Sequence, residues 1–134
     1  MICGMSQSVQ QRAGLAAAGR VAIGAAALFA PVRTSRLLGF PQAHDSATAR
    51  LMGRLFGVRD VALGLLVWRV REDPALSRVA FALNACVDAG DVAAATVPLA
   101  RRSGIDRAAL ATIAFASTGA SIWLGLLRQS RSTT

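Results

Sequence analysis

The sequence contains no lysine, no tyrosine and a single histidine. Arginine alone carries the positive charge, and 15 basic residues against 7 acidic ones leave a net charge of +8. Without tyrosine, and with only two Trp, there are few rings to stack on bases. The arginines are scattered along the chain and mark the ends of apolar stretches, which is how residues flanking a membrane are arranged, not a nucleic-acid surface. No nucleic-acid partner is therefore expected. The lone histidine, His44, and the two cysteines, Cys3 and Cys86, stand in no CxxC or Cys/His spacing. Neither a zinc site nor a disulfide framework is therefore indicated, and neither metal nor cofactor is expected. Cys86 reads as a small buried residue. Cys3 follows no lipoprotein-type apolar segment, so lipidation is not expected, and Met5 is an alternative start.

Charge is scarce as well, at 16% of residues against a usual share of about 25%. Apolar residues make up 54% of the 134, and the mean hydropathy is +0.47. One domain fits this length. The balance favours a membrane protein, and an arginine-only, Ala- and Gly-rich chain suggests a GC-rich bacterial genome. The expected location is thus a bacterial cell membrane, crossed several times.

Four stretches have spanning length, at 13–30, 48–68, 74–97 and 107–127. At about 1.5 Å per residue each covers roughly the 30 Å of a hydrocarbon core. Pro31 closes the first, Ser46 and Thr48 are candidate caps for the second, and "REDP" (71–74) turns the chain into the third with Pro74 suited to a first helical turn. "ARRSGIDR" (100–107) separates the third from the fourth. Nothing alternates with period two, so strands are not expected. The predicted fold is all-α: an integral-membrane four-helix bundle at 13–127 between tails 1–12 and 128–134. In its first loop, "PVRTSRLLGFP" (31–41) mixes Val32, Leu37, Leu38 and Phe40 with Arg33 and Arg36, which describes a short interfacial segment lying among lipid headgroups. Arg20 interrupts the first apolar stretch, so it reads as a retained span and not as a cleaved signal peptide. Flanking arginines divide evenly between the two sides, and the positive-inside rule gives no orientation.

"GRLFGVRDVALGLLVWRV" (53–70) holds Arg54, Arg59 and Asp60 within an apolar run. A central Arg or Asp costs about 2.5–3.5 kcal/mol on insertion, and a Leu or Val returns about 0.3–0.6. The second span is therefore marginal alone and requires its charges to face protein or water. At helical spacing Gly53, Gly57, Asp60 and Gly64 share one stripe, and Gly53 with Gly57 permits close approach of another helix. Asn84, Asp88 and Asp91 share a face of the third span, extended by Ser77 and Ala95. Ala13, Ala16, Arg20, Gly24 and Ala27 align on the first, and Ser117, Ser121 and Gly125 on the fourth, with Thr118 nearby. Four inward stripes of small and polar residues would leave the bulky side chains to lipid. Matching depths gives three cross-helix pairings: Arg59–Asp88, Arg54–Asp91 and Arg20–Asp60.

"GRLFGVRDVALGLL", preceded by "ALFAPVRTSRLLGFP" and followed by "ALNACVDAGDV", resembles a family of small four-span proteins, domain of unknown function 4267. The likeness covers most of 15–127 and centres on Gly57, Arg59, Asp60, Gly64, Asp88 and Asp91. It implies the four-span fold and carries no assigned activity.

Three functional readings remain open. Arg20, Arg54, Arg59, Asp60, Asn84, Asp88 and Asp91 form an intramembrane polar cluster that fixes helix register, in an accessory or scaffold subunit held by its Arg/Asp pairs. Alternatively, the acids bind or conduct an ion, a proton or a small molecule. In the third reading, Asp88 and Asp91 serve an enzyme acting on a lipid or isoprenoid-like substrate. No nucleophile–base pair supports this last one, and His44 reads as a solvated loop residue. A soluble helical bundle is a further alternative. Membrane lipids are the expected partners, with a membrane protein or a second copy of the chain beside them.

Overall fold

Five α-helices account for most of residues 6–132, which the computed structural model describes; Cys3 and Met5 lie outside that range. They are α1 (Gln7–Phe29), α2 (Pro31–Leu37), α3 (Ala47–Val70), α4 (Pro74–Ala100) and α5 (Asp106–Ser132), with one turn of 3-10 helix at Gln42–His44. The chain is all-α, with no strand among the described residues.

Local chemistry sets the helix ends. Pro31 occupies the first turn of α2, where its missing N–H is not needed, directly after α1 stops. Gly39 then takes a φ of +89°, a left-handed conformation that glycine adopts without cost. The Ser46 side chain accepts from the N–H of Ala49 at 3.1 Å and caps α3. Asp73 accepts from the N–H groups of Ala75 and Leu76, each at 2.9 Å, and Pro74 follows it to begin α4. Between α4 and α5, Arg102 (φ 49°) and Gly104 (φ 78°) reverse the chain.

The helices α1, α4 and α5 are long and apolar enough to cross a membrane. At 24 residues α3 has the length, but Arg54, Arg59 and Asp60 interrupt its apolar run. The packing is inverted relative to a water-soluble domain. Buried apolar positions are mostly alanine, including Ala13, Ala17, Ala80, Ala85, Ala109 and Ala116, whereas Leu15, Leu51, Leu55, Val79 and Leu110 are more than half exposed. Small residues inside allow backbones to approach closely. Cys86, expected to be buried, is exposed on the outer face of α4. Its neighbour Ala85, and Phe81 about one turn before that, occupy the inward positions instead.

Two helix pairs dominate, α1 against α3 and α4 against α5, and the contacts between the pairs are sparse. Glycine makes the first pair close. A Cβ on Gly57 would lie 2.5 Å from the Gly24 carbonyl oxygen and 2.6 Å from the Leu28 nitrogen, and one on Gly64 would lie 2.6 Å from Val21 Cγ2. Gly53, on the same stripe, faces Pro31 of α2, with Cβ-to-Cβ space of 3.3 Å. At the end of the molecule where the termini lie, all four long helices converge on a core of Val9, Ala13, Ala17, Val67, Ala80, Phe81, Ala85, Trp123 and Leu126. Toward α2 the pairs stand apart.

The stripe expected to face inward on α5 does not. Ser117 and Ser121 are exposed, Thr118 opens onto the gap between the helix pairs, and the buried face carries Ala109, Ala116, Trp123 and Leu126. The hydroxyls of Thr118 and Ser121 donate to the carbonyls of Ala114 and Ser117, one turn back in their own helix. A hydroxyl satisfied in this way needs no partner on another helix, so it does not determine which face turns inward.

Candidate functional site

Three helices place charged side chains at the level where the packed end gives way to the open one. The α1 stripe of small residues carries Arg20, which is 8% exposed. The α3 stripe that holds Gly57 and Gly64 carries Asp60, which is 3% exposed, and α4 brings Asp88, which is 5% exposed. Such burial is tolerable only with paired charges.

The pairing is continuous. The Arg20 guanidinium donates to both carboxylate oxygens of Asp88, at 2.7 and 3.1 Å, and to Asp60 Oδ1 at 3.3 Å. Arg59 donates to the two oxygens of Asp91, at 2.7 and 2.9 Å. Arg59 also reaches Asp60 Oδ1 from Nη2 at 3.2 Å and from Nε at 3.3 Å. One oxygen of Asp60 thus links two forked pairs, giving the order Asp88–Arg20–Asp60–Arg59–Asp91 across α4, α1, α3 and α4 again. Forked guanidinium–carboxylate pairs are both strong and directional. Arg59 also lies over the Phe56 ring, 4.6 Å from its centroid. Gly119 of α5 completes the setting, because the Asp88 carboxylate occupies the space a Cβ there would fill.

Of the three pairings matched by depth, Arg20 and Asp60 are in contact. Arg59 meets Asp91 and Asp60 instead of Asp88, and Asp88 goes to Arg20. Arg54 does not join Asp91; it is exposed and has no ion pair among the described residues. Asn84 is fully buried one turn from Asp88, but its Nδ2 donates to the Ala80 carbonyl at 2.9 Å, and it stands apart from the charged chain.

Above the charges the two helix pairs border a cavity of ≈ 1000 Å³, open along one side, with an almost wholly apolar wall. Arg20, Asp60, Asp88 and Asp91 border it, together with Gly119 and Trp123 at the packed end. At the opposite end it is edged by α2 and the loop that follows, including Arg36, His44, Asp45 and Arg50. Arg50 holds Asp45 there in a forked pair, 2.8 Å for each bond. The hydrogen bond from Arg50 lowers the pKa of the Asp45 carboxyl below its ordinary value. His44 is exposed at this rim, where it borders the cavity mouth and not the charged floor. Sequence reasoning missed this cavity and three of the rings on its wall, Phe56, Phe115 and Trp123, beside the Phe40 already noted in the first loop. A gap between helix pairs leaves no periodic signature. Among the described residues no three metal-ligating side chains gather.

A family model described as Domain of unknown function (DUF4267) matches residues 17–128, and the chain belongs to that family. No curated protein and no solved structure matches it.

Proposed function

We propose that this member of an uncharacterised family is a multi-pass membrane protein that holds a lipid-like small molecule between its two helix pairs. In this reading α1, α3, α4 and α5 all cross the bilayer as a four-helix bundle at 13–127, and α2 lies along the headgroups of one leaflet. Of the charges that make α3 too polar to insert alone, Arg59 and Asp60 are paired inside the bundle and only Arg54 stays on the outer face, which weakens the main objection to a fourth span. The small-residue interior and the leucine-rich exterior support the same arrangement.

The observation that carries the ligand is the cavity. Its volume of ≈ 1000 Å³ lies at the upper end of the roughly 300–1,000 Å³ of small-molecule sites. An apolar wall with one convergent polar patch is the usual form of such a site. Arg/Asp pairs that only fixed register would require no space beside them. Purification in native lipid followed by mass spectrometry of the extract tests the reading. One small molecule recovered near equimolar with the chain is the expected result, and recovery of bulk phospholipid alone in bulk proportions would contradict it.

A scaffold role draws on a different surface. The outward face of α5 carries Ser117, Ser121 and Gly125, and α4 presents Gly90; a Cβ on either glycine meets nothing within 4 Å. Such faces admit another helix closely, from a membrane partner or a second copy of the chain. If a protein partner accounts for the function, it should co-purify in place of the small molecule.

A further inference from the structure

We propose that the cavity takes a single-chain lipophilic cation, an amine or quaternary ammonium, with its head on the charged floor and its chain directed toward α2. This rests on the small-molecule reading above and adds the chemistry of the head group. The first argument is charge balance. Arg20 and Arg59 offer two positive charges to three carboxyl groups, Asp60, Asp88 and Asp91, so with all three ionised the floor holds one negative charge in excess. All three acids border the cavity, whereas Arg59 does not. The surplus thus faces the empty side, where an apolar wall offers it little solvation. A cationic head neutralises it; an anionic head is repelled, and an uncharged alcohol leaves it uncompensated.

The second argument is the set of rings. Phe56 lies one turn from Asp60 on α3, and Phe115 and Trp123 lie one turn to either side of Gly119, against which Asp88 rests. All three border the cavity, but Arg59 already covers a face of Phe56 and Trp123 is buried against Phe81, so Phe115 is the ring that offers an open face to a cation. Ring faces beside carboxylates are the usual means of recognising ammonium groups. At the far end Arg36 and the Arg50–Asp45 pair provide no comparable surplus of negative charge, so only the floor attracts the head.

The test uses Trp68→Phe protein in phosphatidylcholine nanodiscs, which leaves Trp123 as the only indole. Trp68 is half-exposed and lies outside the cavity wall. The probes are dodecyltrimethylammonium and dodecanol, which share a chain and differ in charge. A saturable change in Trp123 emission is expected with both, at least about tenfold tighter for the ammonium. Asp91→Asn, which brings the floor to neutrality and leaves Arg59 its bond to Asp60, should abolish most of that preference. Equal affinities would overturn the cation and leave the cavity reading standing, while no saturable change with either probe would overturn both. A folded Asp91→Asn protein that keeps the full preference would also overturn the proposal. Should that variant fail to fold, Phe115→Leu leaves every ion pair in place; it must weaken the ammonium more than the alcohol, and an equal effect on both refutes the cation.

Discussion

Arg20 reaches carboxylates on two other helices with one guanidinium, so its replacement strands the buried Asp88 and leaves Asp60 with Arg59 alone. Arg20→Met is expected to destabilise the protein by about 3–5 kcal/mol, the cost of breaking a buried pair from one side. Arg54→Ala, at an exposed position without an ion pair, should stay within about 0.5 kcal/mol. Thermal unfolding in detergent followed by circular dichroism separates the two, and similar losses would contradict the assignment. Asp45 gives a prediction at the surface. Its folded pKa lies below the ordinary carboxylate value of about 3.9 because Arg50 binds the charged form. Whatever stability the pair provides is therefore present above that value and is lost as pH falls through the lowered one. A carbon-detected NMR titration should find Asp45 below about 3.9, and Arg50→Ala should return it to that range. That charged groups on α1, α3 and α4 share an interior is legible from their helical phase and from the cost of leaving them in lipid. Which acid meets which arginine is not. Arg59 points about 100° from Asp60 around α3, yet its long side chain bends back to that carboxylate while spanning to Asp91. Phase and depth locate a Cα to within a turn; the reach of a guanidinium exceeds that.

Among the elements, α1 and α3 form the closest seam. Gly57→Ala would place a methyl group against the Gly24 carbonyl and the Leu28 backbone, neither of which can turn aside. The expected cost is about 1–3 kcal/mol, typical of overpacking. Gly90→Ala is the control. It sits in the interior of α4 with open space around it, and alanine there should stabilise by about 0.5–1 kcal/mol. Opposite signs for these two substitutions, read by thermal shift, are the outcome to check. The α3 stripe of Gly57, Asp60 and Gly64 is legible because a buried charge and two glycines mark the same face. In α5 no charge within the apolar stretch marks the phase, and hydroxyls that bond to their own helix gave a misleading one. Its true inner face, Ala109, Ala116 and Trp123, differs from the outer face mainly in side-chain size.

The whole molecule has a packed end, a charged layer and an open end. Four helices meet in the alanine-rich core, the Arg/Asp chain ties α1, α3 and α4 together above it, and the cavity lies beyond. The proposed crossing by all four long helices predicts that the protein stays in the pellet after an alkaline wash and requires detergent to leave it. Release into the wash would contradict a multi-pass arrangement. The size of the cavity could not be read from periodicity, because it depends on how far apart two helix pairs stand, and each pair has a complete inner face of its own. The joint that holds those pairs is the Arg20–Asp88 fork, and a double-mutant cycle tests it most directly. Arg20→Met and Asp88→Asn should each destabilise strongly, and the double variant should lose less than the sum, with a coupling of up to about 3 kcal/mol. Strictly additive losses would mean that the two side chains do not meet, and would contradict the charged layer on which both the membrane arrangement and the cavity depend.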